Sequence, residues 1–404
     1  MSNIKYLKLR FPEFTGEWEV RKLGELIKVN MCKRIFSNQT ASIGEVPFYK
    51  IGTLGDKADS YISRELFEEY KDKYNYPRKG EILITCSGTV GKTVIYDGRD
   101  SYYQDSNIVW LNNDNKIICN SIIKIIISRI DWNRKLNSTT ITRLYNDDIR
   151  SLIIEFPTEK EEQQKIGDFF MLLDKRIEQQ EQKIALLKDY KKGMMQKIFS
   201  QKIRFKDENG NDYPDWEEKK LGEIGVFYRG HSYKATDVSS EGLLVLRSNN
   251  ISNDSITLST GLQYVTKKCN NEIILENNDI VICMANGSKN LVGKSGVFYK
   301  NDEFKDVTVG AFCSIYRSKI NLSRYLFQTD KYKKYLSILF SGTNINNLKN
   351  SDLEKLKFRL PKIEEEKKIT LLLQKFDKNI ESQEGILKSF KSHKIVLFSK
   401  MFIK

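Results

Sequence analysis

The chain has 404 residues, with 67 lysines and arginines against 53 aspartates and glutamates, a formal charge of +14 and an isoelectric point near 9.2. Its 40% hydrophobic and 11% aromatic content can bury real cores and excludes wholesale disorder, and its length suits two or three domains. A globular chain this basic points to a polyanionic partner, nucleic acid first, although many basic proteins bind none. Six scattered cysteines (Cys32, Cys86, Cys119, Cys269, Cys283, Cys313) and two histidines (His231, His393) form no C-x-x-C pair and no zinc set. Free thiols in a reducing compartment fit better than a disulfide framework. The Met1 to Phe11 segment has no signal-peptide core, and the most apolar stretch, Ile117 to Ile130, is interrupted by Asn120, Lys124 and Arg129. A soluble, cytoplasmic protein is expected.

In chain order, a first β-rich module (13–156) opens with Trp18-Glu19-Val20-Arg21-Lys22-Leu23-Gly24-Glu25 and continues through predicted strands at Val46–Ile51, Glu81–Thr85 and Asn107–Leu111. Gly, Asn, Asp and Ser bound these runs as turns should. After Pro157, Glu161 and Glu162 favour a helix start, and one long helix is predicted. The pattern then repeats. Trp216-Glu217-Glu218-Lys219-Lys220-Leu221-Gly222-Glu223 opens a second module (211–360) with predicted strands at Leu243–Leu246, Ile280–Cys283 and Ala311–Tyr316, and a second helix follows Pro361. Val90-Gly91-Lys92-Thr93 matches Val292-Gly293-Lys294-Ser295; Thr140-Ile141-Thr142-Arg143-Leu144 matches Asn344-Ile345-Asn346-Asn347-Leu348; Glu161 to Ile166 matches Glu364 to Ile369. Four ordered matches offset by 198 to 204 residues identify a tandem duplication. The fold class is α+β: a mixed α/β module plus a long helix, written twice.

Both helices carry apolar positions stepping by 4 and 3, the period of a coiled-coil seam. The first seam runs Ile166, Phe170, Leu173, Ile177, Gln180, Ile184, Leu187, Lys191, Met194, Ile198, and the second Ile369, Leu373, Phe376, Ile380, Gln383, Leu387, Phe390, Lys394, Leu397, Met401. At about 1.5 Å per residue each is roughly 50 Å long. Gln and Lys occupy matching places in both. An antiparallel register that sets Gln180 against Lys394 and Lys191 against Gln383 also pairs Leu173 with Met401, Ile177 with Leu397, Ile184 with Phe390 and Leu187 with Leu387. Met194 and Ile198 then meet Ile380 and Phe376. Polar layers of this kind exclude slipped registers; the alternative is that Gln180 and Lys191 snorkel at the seam edge.

Enzyme signatures are absent. Val90-Gly91-Lys92-Thr93 resembles a phosphate-binding loop, but the required first glycine falls on Cys86, and on Ser288 in the second half. A tight turn between strands explains both places. Pro214-Asp215 with Glu217-Glu218-Lys219 is too crowded for a nuclease metal site and has no counterpart in the first half. No Pro-Pro occurs, which removes the amino-methylation motif, and no Ser/His/Asp or Cys/His arrangement is evident. The chain reads as non-catalytic, with no metal ligands.

Two variable modules opening with W-E-x-x-K-L-G-E, each closing into a long helix after P-x-x-x-E-E-x-x-K-I (in the second half one residue shorter, P-x-x-E-E-x-x-K-I), resemble the specificity subunits of type I restriction–modification systems over nearly the whole chain. The resemblance implies two target-recognition domains (1–156 and 201–360), each reading half of a split site in double-stranded DNA. It also implies two long helices (157–200 and 361–404) that pair antiparallel, space the domains and dock two methyltransferase subunits. Motor–nuclease subunits would join for cleavage, and S-adenosylmethionine, ATP and magnesium would sit on those partners, none on this chain. Leu9-Arg10-Phe11 and Ile203-Arg204-Phe205 would lie near helix ends. Two readers on a rigid strut meet one face of the duplex when their half-sites are about 10 base pairs apart. Polar and basic loop residues at matched places are the candidate DNA contacts. In the first module these are Lys33, Arg34, Ser87, Thr89, Lys92, Thr139, Thr140 and Arg143; in the second, Arg229, His231, Tyr233, Lys234, Asn286, Ser288, Lys289, Asn344 and Asn346. The reading from a different class is a coiled-coil adaptor whose modules bind proteins and whose basic charge is incidental.

Overall fold

Ile82–Thr85 and Ile280–Cys283 are apolar without alternation because each is a central strand covered on both faces. Side chains alternate across a strand, so Ile82 and Ile84 enter one core while Leu83 enters another. Ile280 and Ile282 likewise separate from Val281 and Cys283. The computed structural model describes residues 9–132, 143–252, 254–301, 303–304, 306–341 and 347–402. They form two units, Met1–Glu181 with Gly385–Lys404, and Gln182–Glu384.

In the first unit an antiparallel sheet has the order Lys28–Met31, Ile108–Asn112, Ile82–Thr85, Thr93–Ile95. A three-stranded sheet (Tyr61–Ile62, Val46–Tyr49, Tyr102–Tyr103) closes its second core. The second unit repeats the order as Gly225–Arg229, Cys313–Ser318, Ile280–Cys283, Ser295–Val297, and extends it with Ser255–Ile256 and Ile251–Ser252. Its other sheet comprises Val238–Ser239, Tyr264–Val265, Leu243–Leu246 and Val307–Val309. The predicted strands are thus present, shifted by one or two residues at half of their ends.

The repeated W-E-x-x-K-L-G-E has a structural job. Trp18–Lys22 pairs antiparallel with Ile153–Pro157, and Glu217–Lys220 with Lys357–Leu360, the strands that lead into the long helices. The Leu23 N–H then donates to the Leu152 carbonyl at 2.7 Å, and the Leu221 N–H to that of Leu356 at 2.9 Å. The repeated acidic turn is equally structural. The Arg10 guanidinium grips buried Glu162, and Arg204 grips buried Glu365. One residue on, the Gln163 side-chain oxygen accepts from the Cys119 N–H at 2.7 Å and Glu366 from the Leu322 N–H at 2.8 Å.

The long helices span Lys160–Phe199 and Ile363–Met401. In the first unit Ile166 and Phe170 share a core with Phe398, Met401 and Phe402, with Leu173 and Leu397 against it. In the second unit Met195 and Ile198 share one with Ile369 and Leu373. The helices' share of both cores comes largely from their expected apolar positions, with Met195 and Phe398 buried beside the expected Met194 and Leu397, but the contacts do not follow the expected register. Lys394 bonds Asp174, and Lys191 bonds Asp377 at 2.6 Å and Gln328 at 3.0 Å; neither lysine takes a seam glutamine. Glu181–Lys391 flanks the seam in the first unit and Lys188–Glu384 in the second, each at 2.6 Å. In each unit the helices sit about one turn from the expected register. A part-buried ammonium is better compensated by a carboxylate than by an amide, and Asp174 and Asp377 stand beside the seam at equivalent places.

Candidate nucleic-acid interface

Val-Gly-Lys recurs because it closes a hairpin. The Gly91 N–H donates to the Thr85 carbonyl at 2.8 Å and the Thr85 N–H to that of Lys92 at 3.0 Å; Gly293, Cys283 and Lys294 repeat the pair at 2.7 and 2.9 Å. Both glycines are left-handed (φ +81° and +84°), and a Cβ would lie 2.0 Å from Trp132 Cδ1 at Gly91 and 2.3 Å from Leu336 Cδ1 at Gly293. Conformation and crowding therefore both require glycine. The tight turn expected from the sequence is present at both places.

Further backbone bonds gather other loops beside each hairpin. The Cys86 N–H donates to the Asn107 carbonyl at 2.7 Å and the Leu144 N–H to that of Cys86 at 2.8 Å. The Met284 N–H donates to the Phe312 carbonyl at 2.8 Å and the Leu348 N–H to that of Met284 at 2.7 Å. Each module thus presents a cluster of loops at one end of its central strands.

In the first module Ser87 donates to Asn107 Oδ1 at 2.8 Å, Thr89 and Lys92 are exposed on the hairpin, and exposed Arg143 reaches the Ser106 carbonyl at 3.4 Å. Arg34 bonds Asp105 at 2.8 Å, which ties its loop to the cluster and offsets its charge. Lys33 lies 5.2 Å from the Tyr74 ring centre. Thr139 and Thr140 lie outside the described residues, as do Asn344 and Asn346 of the second module.

In the second module Arg229, Lys234, Ser288 and Lys289 are exposed, while Asn286 donates to Ser248 at 3.0 Å and accepts from the Ser288 N–H at 2.9 Å. Lys289 leans over the Phe340 ring. His231 is buried, half-stacked with Tyr233, its backbone tied to the Val309 carbonyl at 2.7 Å. Burial and the nearby Lys267 charge hold its imidazole below the usual range. Residues that sequence reasoning missed join these loops: Asn107 in the first module, and Arg247, Ser248, Phe312 and Asn347 in the second. Asn347 sits in a repeated segment opposite Arg143, whereas the others fall in stretches where the two halves diverge, so no repeat marks them.

Among the described residues no cluster of His, Cys, Asp and Glu could hold a metal ion, and no helix is long and apolar enough to cross a membrane.

The chain is 50% identical over 157 residues to a putative type I restriction enzyme specificity subunit of Haemophilus influenzae, a match spanning 39% of this chain and 40% of that protein. It is 25% identical over 393 residues to the MjaVIII specificity subunit of Methanocaldococcus jannaschii, covering 92% and 88%. With the EcoKI specificity subunit of Escherichia coli it shares 30% identity over 192 residues, 44% and 40% of the two chains. Its fold resembles the type I restriction-modification system S subunit from M. genitalium, with TM-score 0.61 and 17% identity over 98% of this chain and 99% of that one. The type I restriction modification DNA specificity domain matches twice, at residues 15–189 and 213–391, and the chain belongs to that family.

Proposed function

We propose that this chain is the DNA-sequence-reading subunit of a type I restriction–modification complex, with no active site of its own. Each module reads half of a bipartite site in double-stranded DNA. The paired helices space the modules and dock two methyltransferase subunits, and motor–nuclease subunits join for cleavage in the cytoplasm. S-adenosylmethionine, ATP and magnesium belong on those partners.

The observation that carries this reading is the contrast between frame and loops. What recurs in the two halves is the strand that leads into each helix, the Arg–Glu grip and the glycine-closed hairpin, and each has a structural role. What differs is the set of polar and basic side chains at the same end of each module, Ser87, Asn107 and Arg143 against Arg247, Asn286 and Asn347. Catalytic groups shared by two duplicated domains would recur; base-reading groups for two unlike half-sites would not.

The test is a long-read methylome of the native host with and without the gene. The expected result is loss of methylation at one motif of two short half-sites around an unspecified spacer. An unchanged methylome, with this chain and its methyltransferase expressed, would favour a protein-binding adaptor.

A further inference from the structure

Phe312 is 72% exposed at the tip of a tight turn closed by the Cys313 N–H on the Gly310 carbonyl at 2.8 Å. The Phe312 carbonyl accepts from both Met284, at 2.8 Å, and Ala285, at 3.2 Å, which ties the turn to the hairpin carrying Asn286 and Ser288. Gly230 presses on the same turn, where a Cβ would come within 2.2 Å of the Gly310 carbonyl oxygen. The ring is therefore held outward by a backbone fixed on two sides, amid a cluster otherwise made of Arg247, Asn286, Ser288 and Asn347. Scattered exposed apolar side chains are ordinary; a rigidly presented one at the centre of a polar loop cluster is not. In the first module the corresponding carbonyl belongs to Asn107, whose amide oxygen accepts from Ser87.

We propose that Phe312 is a specificity-determining residue of the second module, contacting the 5-methyl group of a thymine in the half-site that module reads. The inference rests on the DNA-reading function proposed above. Thymine alone among the four bases carries a methyl group on its major-groove edge, and an aromatic ring can contact it there, while asparagines beside it suit adenine edges.

The test uses the full chain assembled with its methyltransferase subunits. In cells lacking the native system, methylomes are compared for the wild type, Phe312→Ala and Ile338→Ala, the last a control at another exposed apolar side chain (65%) of the same unit. Phe312→Ala is expected to leave one half-site intact and to relax one thymine of the other to accept cytosine, with discrimination falling about fivefold. With the purified complex, deoxyuridine in place of that thymine should weaken wild-type binding by a similar factor and leave Phe312→Ala unaffected. An unchanged motif in Phe312→Ala, or wild-type binding insensitive to deoxyuridine at every thymine of that half-site, overturns the assignment. If Phe312→Ala abolishes methylation, the deoxyuridine series on the wild type decides. A wild-type complex that methylates no motif counts against the DNA-reading function itself.

Discussion

The Arg10 guanidinium holds the Glu162 carboxylate through two bonds, at 2.7 and 2.6 Å, and Glu162 is wholly buried. A charge buried this completely is tolerated because it is paired bidentately. Arg10→Met strands the carboxylate, and we expect it to cost about 3 kcal/mol, lowering the first unit's unfolding temperature by roughly 6–12 °C. Adding Glu162→Leu should recover much of the loss, since replacing both partners removes the unpaired charge. Thermal unfolding of the single and double variants checks this; a double variant no better than the single would refute it.

Lys191 and Asp377 predict an asymmetric pair of costs. The Lys191 side chain is 12% exposed and that of Asp377 is 38% exposed, and Asp377 also accepts from the Tyr325 hydroxyl at 2.7 Å. Lys191→Met leaves a carboxylate that keeps a donor and meets water. Asp377→Ala leaves a largely buried ammonium with Gln328 as its remaining hydrogen-bond acceptor among the described residues. The aspartate variant should be the less stable by about 1–2 kcal/mol in urea unfolding. Equal costs would mean that the pair contributes as a surface bridge does.

Gly91→Ala separates a structural turn from a nucleotide loop. The alanine would have to hold φ near +81° with its methyl inside the Trp132 ring. Left-handed backbone and overpacking each cost on the order of 1–2 kcal/mol, so a loss of about 3 kcal/mol is expected in unfolding experiments. Magnesium-ATP should shift neither wild type nor variant; a shift in the wild type alone would reinstate nucleotide binding.

His231 supplies a pH dependence. Its folded pKa is lowered by burial, with the Lys267 charge adding to it, so the fold favours neutral imidazole. The associated stability is present above the unfolded value, near 6.5, and is lost as pH falls through the folded one. His231→Phe should therefore lose less stability than the wild type on going from about pH 7 to pH 5, measured by urea unfolding. Parallel pH profiles would contradict a depressed imidazole.

How far the sequence could be read follows from where the periods are. The duplication, the double-faced strands Ile82–Thr85 and Ile280–Cys283, and the long helices were legible because offset, short unbroken apolar runs and heptad spacing leave marks in one dimension. The register was not. It turns on Asp174 and Asp377, one position off the seam, and matching apolar with apolar gives such flanking carboxylates no weight. The loop clusters were half legible. Ser87 and Asn286 stood beside a repeated motif, whereas Phe312 and Ser248 reach the hairpin only through hydrogen bonds between distant segments. His231 looked like a loop residue by sequence, and the Val309 carbonyl draws it inside.

Charged loop residues should differ from Phe312 in what they change. A lysine or arginine on phosphate contributes affinity without sequence preference, and each such contact adds about 0.9 to the slope of log affinity against log salt on duplex DNA. Lys92→Ala and Arg229→Ala, both at exposed positions, should each lower that slope by about 0.9 in the assembled complex and leave the methylated motif unchanged. Arg34 is equally exposed but bonded to Asp105 at 2.8 Å, so its charge is already offset, and Arg34→Ala should hardly move the slope. Titrations between 50 and 200 mM salt check this. If Arg34→Ala shifts the slope as much as Lys92→Ala, Arg34 leaves Asp105 for phosphate when DNA binds.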